Sequence, residues 1–127
     1  MDHTAIPEPP AQVSAAPRWR SPYNVTVALI LVNVLVFLAM IASGISFTQP
    51  TPLDVFKWGG DFGPATVGAH QWWRLLTSCF LHFGIIHIGM NMYVLYLIGP
   101  FIETVFGRMR YLLIYFIAGL AGSIVSI

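Results

Sequence analysis

The chain has 127 residues, of which 57% are apolar and only 9% are charged, and its formal net charge is +1 at pH 7. Because about 25% of the residues in a soluble domain are charged, this composition excludes a soluble globular enzyme, and the apolar content excludes a disordered chain. So small a net charge provides no basic surface for phosphate groups, which excludes a nucleic-acid-binding protein. Cys79 is the only cysteine, which excludes a disulfide framework.

The N-terminal segment, residues 1–24, is rich in proline and has no pattern of apolar residues that could pack. Its prolines are Pro7, Pro9, Pro10, Pro17 and Pro22. We therefore expect a disordered tail. The apolar run that follows is longer than the core of a typical signal peptide, so we expect it to be a retained membrane anchor.

Three apolar runs are long enough to cross a bilayer, which takes about 20 residues of helix. They lie at about 25–42, 83–102 and 109–127. Apolar residues occupy all sides of each run, as in lipid-facing helices. The predicted fold class is all-α: a polytopic helical membrane protein, with a membrane domain over residues 25–127.

The basic residues predict the orientation of these spans. Four of the six flank the ends that share one side of the membrane, namely Arg18, Arg20, Arg108 and Arg110. Lys57 and Arg74 lie on the other side. Since Lys and Arg are retained in the cytoplasm, we expect a cytoplasmic N-terminus in a multi-pass protein of the cell (inner) membrane.

The long loop at 43–82 connects the first two spans. It contains large aromatic residues, which favour the lipid headgroup region: Phe47, Phe56, Trp58, Phe62, Trp72 and Trp73. We expect the loop to lie in the outer interface, with a short helix within 68–82. Trp73 and Arg74 are either an interfacial anchor, or Arg74 fixes the loop by bonding backbone carbonyls or lipid phosphate.

The second span carries two polar residues at membrane depth, His87 and Asn91. They are four apart, so they share one helix face, and Gly84 one turn earlier allows close approach of a backbone or a substrate. Two neutral donors on this face could stabilise a developing oxyanion. They could also serve only to join helices, or serve transport, and the spacing leaves these alternatives open.

His82 precedes His87 by five residues, about 140° away around a helix, and we expect it to lie in the loop. A metal site is not expected here, because zinc requires three or four ligands and Cys79 is the only thiolate nearby. We expect Cys79 to be a packed apolar side chain, and we expect no cofactor.

The later helix ends carry further signals. Gly107 is predicted to end the second span in a left-handed conformation, Glu103 to pair with Arg108 or Arg110, and Pro100 to bend the last turns. The third span presents a surface of small residues that predicts a missing neighbouring helix: Ala118, Gly119, Ala121, Gly122 and Ser123. Asn33 is a polar residue in the first span, and it requires an interhelical partner.

Residues 72–91, WWRLLTSCFLHFGIIHIGMN, resemble the segment that opens the second transmembrane helix of rhomboid intramembrane serine proteases. Trp73-Arg74 is similar to that family's Trp-Arg loop motif. The remaining matches are to its His, His-x-x-x-Asn array and its Gly-x-x-x-Glu-x-x-x-Gly helix end: His82, His87 and Asn91, then Gly99, Glu103 and Gly107.

The resemblance implies a six-helix core in which a Ser–His dyad cleaves the transmembrane segments of other proteins. It implies that His87 and Asn91 help to form the oxyanion hole, with His82 close to it. The implied partners are the bilayer, transmembrane protein substrates and the C-terminal helices of the same fold, with no nucleic acid.

The family's nucleophile and base are missing from these 127 residues. The nucleophile belongs to a Gly-x-Ser-Gly element on a fourth helix and the base to a sixth. Gly122-Ser123 is followed by Ile124 in the third span and is no substitute. We therefore expect a truncated N-terminal half that is inactive alone. Alternatives are a non-catalytic rhomboid-like protein that binds transmembrane clients, or half of a small transporter.

Overall fold

The computed structural model describes residues 24–127, a region that contains helices and no strand. The α-helices, in chain order, are α1 (Asn24–Ala42), α2 (Pro52–Lys57), α3 (Trp73–Ser78), α4 (Gly84–Phe106) and α5 (Arg108–Ser126), with a π-helical turn at Pro64–Gly68. Helices α1, α4 and α5 are long and apolar enough to cross a membrane. The all-α class with three candidate spans is therefore confirmed.

The predicted N-terminal tail lies outside the described residues, except for Asn24, which already belongs to α1. The basic residues Arg18 and Arg20, on which the predicted orientation partly rests, also lie outside them. The orientation therefore remains a prediction.

Helix α1 packs through one stripe of side chains. Its buried residues recur every three or four positions, at Thr26, Leu29, Asn33, Phe37 and Met40, which is the spacing of a single helix face. Asn33 is fully buried, and its side-chain amide donates to the Leu29 carbonyl at 2.7 Å and to Tyr115 Oη at 2.9 Å. Tyr115 of α5 is thus the interhelical partner that Asn33 requires.

A single residue, Gly107, joins α4 to α5. Its φ of 78° and ψ of 163° place it at positive φ, where glycine is favoured, but with an extended ψ in place of the left-handed helical one that we predicted. Helix α4 ends at Phe106, four residues beyond the predicted end of its span at 102. The charge of Glu103 suggested that earlier end, but its carboxylate is paired inside the fold.

Glu103 binds the start of α1. Its carboxylate accepts hydrogen bonds from the Val25 and Thr26 backbone N–H groups at 3.0 and 2.9 Å and from the Thr26 hydroxyl at 2.9 Å. A carboxylate is favourable at a helix N-terminus, where unpaired N–H groups and the helix dipole are both positive. Arg108 Nε also lies 3.7 Å from Glu103 Oε1, so the predicted pairing with Arg108 is present.

The loop between α1 and α4 is folded. Thr51 and Asp54 form a capping box at the start of α2, and their hydrogen bonds lower the pKa of the Asp54 carboxyl below its ordinary value.

Helix α3, within the segment where we expected a short helix, packs on α5. A Cβ on Gly119 would lie 2.6 Å from Cys79 Sγ, and the Ser123 hydroxyl donates to the Leu75 carbonyl at 3.4 Å.

The expectation that the small residues of α5 lack a neighbour is therefore wrong at Gly119 and Ser123. Their neighbour is α3, an element of the loop. Hydropathy could not predict this packing, because α3 is too short to be recognised as a helix that packs on a span. At Gly122 the surface is open, since no atom lies within 4 Å of the position a Cβ would take.

Candidate functional site

The site begins where the loop backbone meets the first turn of α4. Gly84 has a φ of 87°, and a Cβ there would lie 2.7 Å from the Thr48 carbonyl oxygen. The Ile85 N–H donates to the Phe47 carbonyl at 2.7 Å, which satisfies one of the unpaired donors of the helix N-terminus. The sequence left two roles open for Gly84, the close approach of a backbone or of a substrate. In the structure, a backbone approaches it.

The hydrogen bonds of His87 define its tautomer. The Phe83 N–H donates to His87 Nδ1 at 3.3 Å. Since Nδ1 accepts this bond, the neutral ring carries its proton on Nε2. His87 is exposed and lines a cavity, so the Nε2–H group is available as a donor at this end of α4.

Asn91 lies one turn further along the same face. Its side-chain Nδ2 donates to the His87 carbonyl at 3.0 Å, and because an amide nitrogen carries two hydrogens, a second N–H remains. Asn91 is exposed and lines the same cavity as His87. The structure therefore brings together the two donors that the sequence placed on one face.

His82 lies in the connection between α3 and α4, as we expected, and only 5% of its surface is exposed. Its Nδ1 lies 3.2 Å from the Phe80 carbonyl oxygen, so Nδ1 carries the proton and donates. The ring meets that of His87 edge to face, with the centroids 5.2 Å apart. Burial, and then the neighbouring His87, lower the pKa of His82 below that of an ordinary histidine, so this ring is neutral at pH 7.

The cavity lies between α4 and α5 and has a volume of about 680 Å³. The α4 side presents His87 and Asn91, the α5 side presents Gly122 and Ser123, and the connection after α3 borders it through His82. Most of the remaining lining is apolar. Such a space, with a few convergent polar groups, is typical of a ligand or substrate site.

The hydroxyl of Ser123 has a structural partner. It is 7% exposed and donates to the Leu75 carbonyl of α3. Within residues 24–127, no serine hydroxyl is hydrogen-bonded to a histidine. That Gly122-Ser123 does not replace the nucleophile remains a prediction.

Arg74, in α3, is buried within the folded loop. It is 8% exposed, and its Nη1 donates to the Phe56 and Gly60 carbonyls at 2.8 and 3.0 Å. Its Nε donates to Gln71 Oε1 at 2.6 Å, and its guanidinium carbon lies 4.6 Å from the centre of the half-exposed Trp73 ring. The sequence left Arg74 as either an interfacial anchor or a residue that fixes the loop. In the structure, it fixes the loop through backbone carbonyls.

Gly99, Glu103 and Gly107 lie at the opposite end of α4 from His87. A Cβ on Gly99 would lie 2.5 Å from Tyr111 Oη and 2.7 Å from Thr26 Cγ2, so this glycine lets α1, α4 and α5 meet. Glu103 binds the start of α1, and Gly107 forms the turn into α5. These residues hold the helices together and take no part in the cavity's hydrogen bonding.

The described residues contain no cluster of three His, Cys, Asp or Glu side chains that could hold a metal ion.

Several polar residues that line the cavity were not predicted from the sequence: Asp61, Ser78, Tyr111, Tyr115 and Ser126. Tyr115 is the one that joins the most elements of the fold. Its hydroxyl accepts from Asn33 and donates to the Cys79 carbonyl at 3.3 Å. A tyrosine hydroxyl in the middle of a span was the signal that could have identified it, since such a group requires a partner in the membrane.

Comparison with known proteins matches residues 69–127 to the Rhomboid domain. The chain is 37% identical over 101 residues to Rhomboid protease GluP of Bacillus subtilis (strain 168), an alignment that covers 80% of this chain and 19% of that protein. It is 53% identical over 77 residues to RHOMBOID-like protein 2 of Arabidopsis thaliana, covering 61% of this chain and 24% of that protein. It is also 38% identical over 78 residues to Inactive RHOMBOID-like protein 8 of the same plant, covering 61% and 22%.

The chain spans about a fifth to a quarter of the length of these curated relatives. No solved structure matches it. The three long apolar helices with polar side chains around a cavity define a polytopic helical membrane protein. The domain match and the relatives are more specific, and the chain belongs to the rhomboid family.

Proposed function

We propose that this chain forms the oxyanion-binding side of the active site of a rhomboid-type intramembrane serine endopeptidase. The observation that carries the proposal is the pair of donors on one face of α4, His87 and Asn91, which line one cavity. Helices outside these 127 residues would supply the serine nucleophile and the histidine base. The 127 residues alone are then inactive.

The chemistry follows from the two donors. When a serine attacks a peptide carbonyl, the carbonyl oxygen gains negative charge in the tetrahedral intermediate. His87 Nε2–H and the free N–H of Asn91 then donate to that oxygen, in a membrane site where the low dielectric strengthens such bonds. Both donors are held in advance, since His87 Nδ1 accepts from Phe83 and Asn91 is bonded to the His87 carbonyl.

The substrates we propose are transmembrane segments of other proteins, with the bilayer as the medium. The similarity to Rhomboid protease GluP, which is 37% identical to the chain over 101 residues, supports a protease. The main alternative is a non-catalytic rhomboid-like protein that binds transmembrane clients. Its support is the 38% identity to Inactive RHOMBOID-like protein 8.

The test uses a full-length rhomboid that contains this chain, reconstituted in lipid with a transmembrane substrate. We expect His87→Ala and Asn91→Ala each to lower kcat by at least about tenfold, since loss of one oxyanion donor typically costs about 10²–10³. The thermal midpoint should change little, because the donors act mainly on the transition state. Loss of a packing hydrogen bond, by contrast, would appear as a loss of stability of about 0.6–2 kcal/mol. The double variant should lose less than the product of the two single effects, because both donors serve one oxygen.

Met90→Ala is the matched control. Met90 precedes Asn91 on α4, is 60% exposed and does not line the cavity, so its truncation should leave kcat unchanged. Full activity in both His87→Ala and Asn91→Ala, or activity that falls only as the variants unfold, would assign these residues to packing. Absence of activity in the unmodified full-length protein would favour the client-binding alternative.

A further inference from the structure

Tyr115 joins three elements of the fold through its hydroxyl. Asn33 Nδ2, on α1, donates to Tyr115 Oη at 2.9 Å. Tyr115 Oη, on α5, donates to the Cys79 carbonyl oxygen at 3.3 Å. Cys79 is the C-cap residue of α3, so this hydroxyl satisfies one of the carbonyls that a helix leaves unpaired at its C-terminus.

Both amide hydrogens of Asn33, the donor to Tyr115, are engaged in hydrogen bonds. Asn33 is fully buried, and its other amide hydrogen is bonded to the Leu29 carbonyl at 2.7 Å. Its Oδ1 is buried without a hydrogen-bond partner among the described residues. Burial of an unpaired carbonyl oxygen costs stability, and the hydrogen bonds of the Asn33 amide to Leu29 and Tyr115 offset part of that cost.

The Tyr115 ring supports the same turn through Phe80. The two ring centroids are 6.2 Å apart, and Phe116 contacts both rings, at 5.5 Å from Tyr115 and 6.0 Å from Phe80. Aromatic pairs at such distances are favourable in tilted and edge-to-face geometries. Tyr115 therefore holds Cys79 by its hydroxyl and Phe80 by its ring.

The turn held in this way carries His82. The Phe80 carbonyl accepts from His82 Nδ1 at 3.2 Å, and the His82 ring lies edge to face with His87. Within residues 24–127 the His82 side chain makes no hydrogen bond to α4 or α5, although the Gly84 N–H, at the start of α4, donates to the His82 backbone carbonyl at 3.0 Å. The position of the His82 ring against His87 thus depends on the conformation of residues 79–82 and on this backbone bond.

We infer that Tyr115, oriented by Asn33, is a positioning residue that holds the 79–82 turn and thereby seats His82 against His87 at the donor face of α4. The effect of Tyr115 on catalysis rests on the proposed function. Tyr115 touches no reacting atom, and neither does Asn33. Tyr115 lines the same cavity as His87 and Asn91, but its hydroxyl is bonded to Asn33 and Cys79 and acts through the turn.

The test compares Tyr115→Phe with Tyr111→Phe in the full-length protein in lipid bicelles. Tyr115→Phe keeps the ring and its aromatic contacts but removes the bonds to Asn33 and Cys79. Tyr111→Phe is a matched control, because it removes the other buried tyrosine hydroxyl of α5, which contacts Thr26 at 3.4 Å at the far end of the hairpin. Histidine-selective isotope labelling then reports nuclear Overhauser contacts between the rings of His82 and His87.

We expect the His82–His87 ring contact in the unmodified protein and in Tyr111→Phe, and its loss in Tyr115→Phe. As the turn loosens, His82 gains water, so its titration midpoint should rise toward that of an ordinary histidine, which is about 6.5. We expect kcat of Tyr115→Phe to fall about tenfold with KM unchanged, less than the roughly 100-fold that a 1 Å displacement of a reacting group costs. If Tyr115→Phe does not fold, Asn33→Leu is measured in its place and should weaken the same contact.

An unchanged ring contact in the folded variant overturns the inference, whatever the protein's activity. Loss of the contact with unchanged kcat, while His87→Ala still lowers kcat, overturns the catalytic part and leaves the proposed function standing. If His87→Ala and Asn91→Ala retain full activity, the proposed function fails, and the ring contact alone decides whether Tyr115 holds the turn.

Discussion

The guanidinium of Arg74 connects parts of the loop that are distant in the chain. It donates to Phe56 and Gly60 on one side and to Gln71 on the other, and it lies 4.0 Å from the centre of the Phe56 ring. The planar fork of arginine can make these contacts at once, whereas a lysine ammonium cannot lie flat on the ring or reach the same acceptors. The loop fold therefore depends on the shape of this side chain as well as on its charge.

Arg74→Lys should destabilise the loop by about 1.5–3 kcal/mol, the usual range for hydrogen bonds to a charged group. Hydrogen exchange of the backbone N–H groups of residues 55–60 should accelerate, and this can be read by mass spectrometry. Arg110→Lys, at an exposed arginine, is the control and should leave those residues unchanged. Equal protection of residues 55–60 in both variants would contradict the role of Arg74.

Helices α4 and α5 form a hairpin that is tight at its turn and open at its other end. Near the turn, Gly99 of α4 leaves room for Tyr111 of α5 and Thr26 of α1. Between the turn and the N-terminus of α4, the two helices line the cavity, from Ile102 and Tyr111 near the turn to His87 at the other end. The site therefore exists because small residues and the Gly107 turn close one end of the hairpin, while the loop elements enter the other.

Gly99→Ala should lower the thermal midpoint, because the added methyl group meets atoms of two other helices. Overpacking of this kind costs about 1–3 kcal/mol. Gly89→Ala is the matched control on the same helix, since no atom lies within 4 Å of the position of its Cβ. It should be neutral or stabilise by about 0.5–1 kcal/mol through helix propensity. Equal destabilisation by both substitutions would show that Gly99 is not a packing point.

The sequence predicted the elements better than the contacts between them. The apolar runs gave the three candidate spans, and the spacing of His87 and Asn91 placed them on one face, because both features depend on the chain's local periodicity. The binding of Glu103 to the start of α1, the packing of α3 on Gly119 and the hydroxyl of Tyr115 were not predicted. Each depends on which segments meet in space, and no local pattern encodes that.

In the molecule as a whole, His87 and Glu103 lie toward opposite ends of α4, and the cavity lining extends along the helix from His87 to Ile102. His87 and Glu103 are separated by 16 positions of helix, which is about 24 Å at 1.5 Å per residue. That distance nearly spans the hydrocarbon core of a bilayer, which is about 30 Å thick. We expect the Glu103 end to face the cytoplasm with Arg108 and Arg110, and the cavity and loop to face the outer leaflet.

Cysteine labelling in intact cells tests this orientation in a Cys79→Ala background. With a membrane-impermeant thiol reagent, Ala69→Cys in the exposed part of the loop should react from outside. Ser14→Cys in the N-terminal segment should react only after the membrane is permeabilised. The reverse pattern would invert the topology and place the cavity on the cytoplasmic side.

Asn91→Asp in the full-length protein tests whether His87 and Asn91, on one face of α4, stabilise an oxyanion. Aspartate keeps the size of the side chain but replaces the N–H donor with a carboxylate that repels negative charge. We expect kcat to fall at least about 100-fold, as for other lost oxyanion donors, with the thermal midpoint near that of the unmodified protein. Activity of Asn91→Asp equal to that of the unmodified protein would contradict the claim.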